Sequence, residues 1–164
     1  MKLHEVANNT KVLDDHGKPR IVYHGSDKQF DQFDKDLAGE GASDGILQYG
    51  HGIYFTSNQE LANDYGKFVK QAYLTITTPI RMDQDIPDKV TQYALNKFPK
   101  LQERDDYEVK RAIGTVHRFL AFLQNAGYDT SEVLTELGYD GIIEIHPYAN
   151  TYVVFNADQI NIVE

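Results

Sequence analysis

Short apolar runs of four or five residues, most of them flanked by glycine or proline, stand at both ends of this chain, and the longest stretch of helical periodicity lies in its middle. That pattern excludes a helical bundle and a pure β-sandwich, and it sets a mixed α+β inventory. Ile21-Val22-Tyr23-His24 is entered by Gly17-Lys18-Pro19 and left by Gly25-Ser26, so it reads as a buried strand with His24 at its end. Gly52-Ile53-Tyr54-Phe55-Thr56 is a second strand. Ser57-Asn58-Gln59-Glu60 then matches a capping box that opens a helix with Leu61 and Tyr65 on one face. Phe68 to Ile76 alternates as a strand ending at the Thr78-Pro79 turn. Gly141-Ile142-Ile143-Glu144-Ile145 and Tyr152-Val153-Val154-Phe155 form a hairpin across His146-Pro147-Tyr148-Ala149-Asn150, and Asp158 to Ile162 closes the sheet.

Between these ends, Val109, Ala112, Ile113, Val116, Phe119, Leu120 and Leu123 recur at helical spacing, which predicts one helix from about Arg104 to Asn125. Its other face carries Arg104, Arg111 and Arg118 at seven-residue intervals, a positive ridge that reads as a solvated face or as a docking surface for a phosphate backbone. A shorter helix spans Ser131 to Leu137 and stops at Gly138. The segment Gly39 to Gly45 holds three glycines and is expected to be a mobile surface loop.

The length of 164 residues, with 41% hydrophobic and 25% charged, suits one domain covering the whole chain. With no cysteine, thiolate metal sites, disulfides and cysteine nucleophiles are excluded. The six histidines show no His-x-x-x-His spacing, so no metal is expected. A net charge of -9 argues against a broadly basic nucleic-acid footprint. No long apolar run and no secretory leader are visible, so the chain is expected to be soluble, cytoplasmic and free of membrane partners. Phosphate-cradling, dinucleotide-fold and nucleophile-elbow glycine motifs are missing too.

What remains is an ordered constellation. Val22-Tyr23-His24-Gly25-Ser26 is followed by Tyr49-Gly50-His51-Gly52-Ile53-Tyr54-Phe55 and then Ala62-Asn63-Asp64-Tyr65, with Tyr65 eleven residues after Tyr54. This set resembles the NAD-binding core of the poly(ADP-ribose) polymerase branch of the ADP-ribosyltransferases. The chain is similar over nearly its full length to the short ADP-ribosyltransferases of phage polyvalent proteins and bacterial toxin systems. Lys11-Val12-Leu13-Asp14, Gly17-Lys18-Pro19, Tyr73-Leu74, Thr78-Pro79, Gly138-Tyr139-Asp140-Gly141-Ile142-Ile143 and Tyr152-Val153-Val154-Phe155-Asn156 with Gln159-Ile160 carry that likeness. The resemblance implies a split mixed β-sheet core with flanking helices and a helical insert at about 84–130.

It also implies roles. NAD would be the substrate; His24 would bond its adenine-side ribose, assisted by Ser26, and the Gly25 backbone would hold the nicotinamide carboxamide. Tyr54 and Tyr65 would sandwich the nicotinamide ring. Ala62 stands where the polymerases have a serine that touches the carboxamide. Thr151 stands where the family commonly has a glutamate, ahead of Tyr152-Val153-Val154-Phe155, and it can hydrogen-bond a ribose hydroxyl but cannot offset positive charge. Glu144, across the hairpin, or Asp140 would then be the replacement carboxylate; the competing reading places Glu144 in solvent.

The implied activity is mono-ADP-ribosyl transfer by a phage or bacterial effector to a macromolecular acceptor, protein or nucleic acid, with an antitoxin or immunity partner. The alternatives are a binding module that keeps the pocket without the chemistry and an NAD glycohydrolase.

Overall fold

A computed structural model describes residues 9–33 and 49–163. The glycine-rich segment at 39–45 lies outside the described residues. Among the described residues the strands are β1 (Val22–Ser26), β2 (Ile53–Thr56), β3 (Phe68–Leu74), β4 (Pro79–Arg81), β5 (Gly141–Glu144), β6 (Thr151–Val154) and β7 (Ile160–Ile162). The helices are α1 (Gln59–Tyr65), α2 (Asp88–Lys97), α3 (Pro99–Gln102), α4 (Asp106–Ile113), α5 (Val116–Asn125) and α6 (Thr130–Glu136). The fold is α+β, and the helices from α2 to α6 form one block between β4 and β5.

The sheet runs β4-β5-β6-β2-β1-β3-β7 and is mixed, because β4 pairs with β5 in parallel while the other pairs are antiparallel. Strand β1 pairs with β3 along its whole length, from Val22↔Ala72 to Ser26↔Phe68. With β2 its register reduces to Tyr23↔Thr56. The sheet is therefore two halves joined at a thin seam, the split core that the motifs imply.

Alternation assigns the two faces. Ile53, Phe55, Tyr152, Val154 and Ile143 point one way, into a core with Val12, Val22, Phe33, Ala72 and Leu74. Ile142 and Val153 point the other way and meet Val90, Ala94, Leu101, Val116, Phe119, Leu120, Leu123 and Leu134 of the helical block. Each large apolar side chain withdrawn from water there contributes about 1.5–3 kcal/mol.

Three local expectations change. The helix expected from Arg104 to Asn125 is two helices, broken at Gly114 and Thr115. Gly114 closes α4 by donating to the Lys110 carbonyl at 2.8 Å, with no room there for a Cβ, and the Thr115 hydroxyl caps α5 by accepting from the Arg118 N–H. The three arginines fall on separate segments: Arg104 precedes α4, Arg111 lies on α4, and Arg118 on α5 reaches back to the Lys110 carbonyl at 3.4 Å. The cap of α1 is Asn58 rather than Ser57, its Oδ1 accepting from the Glu60 and Leu61 N–H groups. Pro79 opens a strand instead of ending one, and a strand's first residue is a position that tolerates a missing N–H.

Candidate active site at the sheet seam

The seam gathers residues from distant parts of the chain. Along β2 and its neighbours, Tyr54 lies opposite Val153, and Thr56 lies opposite Thr151, which in turn faces Glu144 of β5. Cross-strand partners share a face, so Tyr54, Thr56, Thr151 and Glu144 all stand on the side covered by the helical block. The rows of Tyr54 and Thr151 are about 7 Å apart, two residues along a strand. Gly25 opens onto the same side, where a Cβ would collide with the Ala62 carbonyl and touch Tyr65. Only glycine lets α1 approach β1 so closely, which brings Tyr65 and the buried Ala62 to this face.

His24 and Ser26 point to the opposite face. The His24 ring is buried among Phe30, Phe33 and Phe55, with centroids at 6.0, 5.0 and 5.4 Å. Its Nδ1 donates to the Tyr54 carbonyl at 2.7 Å. A carbonyl only accepts, so the proton of that contact sits on Nδ1. The side chain thus bridges the seam where the ladder between β1 and β2 thins. Ser26 Oγ is buried and accepts from the Lys28 N–H at 3.1 Å, tightening the turn after β1.

The Tyr54 hydroxyl is occupied by structure. It accepts from the Tyr49 N–H at 3.1 Å and donates to the Gly50 carbonyl. Gly50 has φ +94°, a conformation that favours glycine, and a Cβ there would strike Thr130, whose hydroxyl donates to the Tyr49 carbonyl at 2.6 Å. Burial pushes the Tyr54 phenol well above its ordinary range, so it stays neutral. Tyr65 ends α1 with 37% of its surface exposed, enough for a ring face to meet a ligand.

Glu144 is the unexpected member. A solvent-facing side chain is the ordinary state for a strand glutamate, yet this residue is only 5% exposed. Its Oε1 lies 2.5 Å from His146 Nε2 and 3.7 Å from His117 Nε2. Asp140, the other carboxylate considered, sits at the far end of β5 and accepts from the Thr77 N–H, the Thr77 hydroxyl and the Thr78 N–H at 2.8 to 2.9 Å. Those bonds commit it to the turn before β4. Sequence reasoning missed His117 and His146 as partners of Glu144, because nothing local pairs a helix residue with a hairpin turn. Among the described residues no group of three or more histidine, aspartate or glutamate side chains could hold a metal ion.

The features together define an α+β domain whose split sheet carries an aromatic and carboxylate-lined face at the seam. The family described as ADP-ribosyltransferase in polyvalent proteins matches residues 14–164, and the chain belongs to that family. Its activity in general is ADP-ribosyl transfer, with NAD as the substrate. Among solved structures, one described as the crystal structure of an anti-CRISPR protein is similar at 12% identity and a TM-score of 0.47, over 87% of this chain and 94% of that one. No curated protein matches the sequence. Among the described residues no helix is long and apolar enough to cross a membrane.

Proposed function

We propose that this chain cleaves the nicotinamide–ribose bond of NAD and passes ADP-ribose to one acceptor group, as a mono-ADP-ribosyltransferase. The observation that carries the reading is the buried Glu144 carboxylate beside Thr151, on the sheet face that also holds Tyr54, Gly25 and Tyr65. In this assignment the Gly25 backbone holds the carboxamide and Tyr54 and Tyr65 cover the nicotinamide ring, while His24, buried on the opposite face, supports the site by tying β1 to the Tyr54 carbonyl. Nicotinamide leaves with the bonding electron pair, which neutralises its ring, so no general acid is needed. The ribose becomes oxocarbenium-like as it leaves. Glu144 supplies the negative charge that stabilises this state in a site sheltered from water, and Thr151 bonds a ribose hydroxyl. A threonine at that position argues against chain-extending polymerase activity.

An effector acting on a macromolecule in a bacterial cell, with an antitoxin or immunity partner, is the biological setting that the resemblance supports. The test is nicotinamide release together with mass spectrometry of bacterial protein, RNA and DNA after incubation with isotopically labelled NAD. A single ADP-ribose on one class of macromolecule, lost in His24→Ala and Tyr54→Ala, is the expected result. NAD binding with no release of nicotinamide would instead make the domain a binding module, and release without transfer a glycohydrolase.

A further inference from the structure

Glu144 has a partner that the reading above leaves unused. His146 stands at the start of the hairpin turn after β5, with its Nε2 against Glu144 Oε1. A carboxylate accepts only, so the proton of that contact is on Nε2 and the lone pair of the neutral ring is on Nδ1. The Glu144 side chain is 7% exposed and that of His146 is 53% exposed, so the pair couples a sheltered charge to a base that solvent and an incoming molecule can reach.

The turn carrying this histidine is held in place. The His146 N–H donates to Asn150 Oδ1 at 3.3 Å, and the Asn150 N–H donates to Ser57 Oγ at 2.8 Å. The Ser57 N–H returns a bond to the Asn150 carbonyl at 3.1 Å, and Asn150 Nδ2 donates to the Tyr152 hydroxyl at 3.0 Å. These bonds tie the turn to the junction of β2 and α1. His117, at 3.7 Å from the same Oε1 and edge-on to Tyr49, flanks the carboxylate without replacing His146.

We infer that His146 is the general base for the acceptor, oriented by Glu144, and that the acceptor's nucleophile is a hydroxyl oxygen. The inference rests on the proposed cleavage of NAD. As the C1′–N bond breaks and its electron pair goes to nicotinamide, the acceptor oxygen bonds to C1′. Its proton passes to His146 Nδ1, and the imidazolium is stabilised by Glu144 until it loses the proton to water. A carboxylate acceptor carries no proton to remove, whereas a hydroxyl grows acidic as its oxygen bonds to carbon, and an imidazole matches that demand. The carboxylate keeps its charge throughout, as an orienting acid does behind a catalytic histidine.

The experiment follows nicotinamide release by the full chain and by His146→Gln and His146→Ala, with and without sodium azide, alongside NAD affinity by calorimetry. Glutamine keeps a donor for Glu144 but offers no base; alanine leaves room for azide, an anionic nucleophile with no proton to lose. The expected result is a loss of about 10²-fold in release to water or hydroxyl acceptors in both variants, with NAD affinity within about threefold of the parent. Azide restores release in His146→Ala, with ADP-ribosyl azide as the product. Release within about threefold of the parent in both variants, or a loss that azide leaves uncorrected at retained NAD affinity, overturns the inference. If the unmodified chain releases no nicotinamide with any acceptor or with azide, the proposed function falls as well; release that ignores His146 leaves that function standing.

Discussion

Replacing Tyr54 by phenylalanine separates what its hydroxyl does from what its ring does. The hydroxyl accepts from the Tyr49 N–H and donates to the Gly50 carbonyl, and Tyr49 is buried. Removing it deletes two hydrogen bonds and strands a buried N–H, which costs about 2–3 kcal/mol. For a urea slope of about 2 kcal/mol/M, the unfolding midpoint falls by about 1–1.5 M. The ring face is unchanged, so the NAD dissociation constant should rise by less than about threefold, under 0.7 kcal/mol. Tyr54→Leu, which removes ring and hydroxyl together, should lose both stability and NAD affinity.

The same variant has a signature in alkali. The folded-state value of the Tyr54 phenol is raised above its ordinary 10.0, so its contribution is fully present below pH 10 and declines as the pH rises above it. Urea titrations between pH 9 and 11 should show a steeper loss for the parent than for Tyr54→Phe. A midpoint shift under 0.3 M would refute the idea that the hydroxyl braces the turn at 49–50. Loss of NAD binding at unchanged stability would show instead that it touches the ligand.

Glu144→Gln should lower NAD turnover by more than about tenfold while Thr151→Ala lowers it by less than about fivefold; equal small effects in steady-state kinetics would remove Glu144 from the chemistry. Gly25→Ala should destabilise the fold by about 1–3 kcal/mol, because a Cβ runs into the Ala62 carbonyl and α1 must back away from β1. An unchanged melting temperature would mean that the approach of α1 is not tight. Glu136 is held below its ordinary 4.5 by hydrogen bonds from the Tyr93 hydroxyl and Lys97, so its contribution is present above that value and is lost as the pH falls through the depressed one. Thermal melts from pH 6 to pH 3 should therefore fall less steeply for Glu136→Gln than for the parent, and parallel curves would show that the cluster adds nothing.

Every strand except β4 was legible in the residues, as was the hairpin, since each depends on near neighbours, whereas β4 was read as a turn and the helices α2 and α3 were not assigned. Gly17-Lys18-Pro19 announces β1, Gly138 ends α6 with φ +93°, and the runs around Ile142 and Val153 pair across a short turn. The constellation of His24, Gly25, Tyr54 and Tyr65 was legible as an ordered set, and the split sheet came with it. The side that Glu144 takes was not: in Gly141-Ile142-Ile143-Glu144-Ile145 apolar residues occupy both parities, so a period of two assigns no face. The break at Gly114 was hidden because the apolar spacing continues in phase through it.

The sequence by itself determined the element types, the turn chemistry and the residues offered to a site, because these follow from backbone preferences and short-range periodicity. The tertiary structure alone decided which of them meet. It turned Glu144 inward beside Thr151 and brought His117 from α5 and His146 from the hairpin to one carboxylate oxygen. It also set α1 against Gly25. Such meetings arise from packing between segments far apart in the chain, where burial and shape outweigh anything that a residue's neighbours dictate.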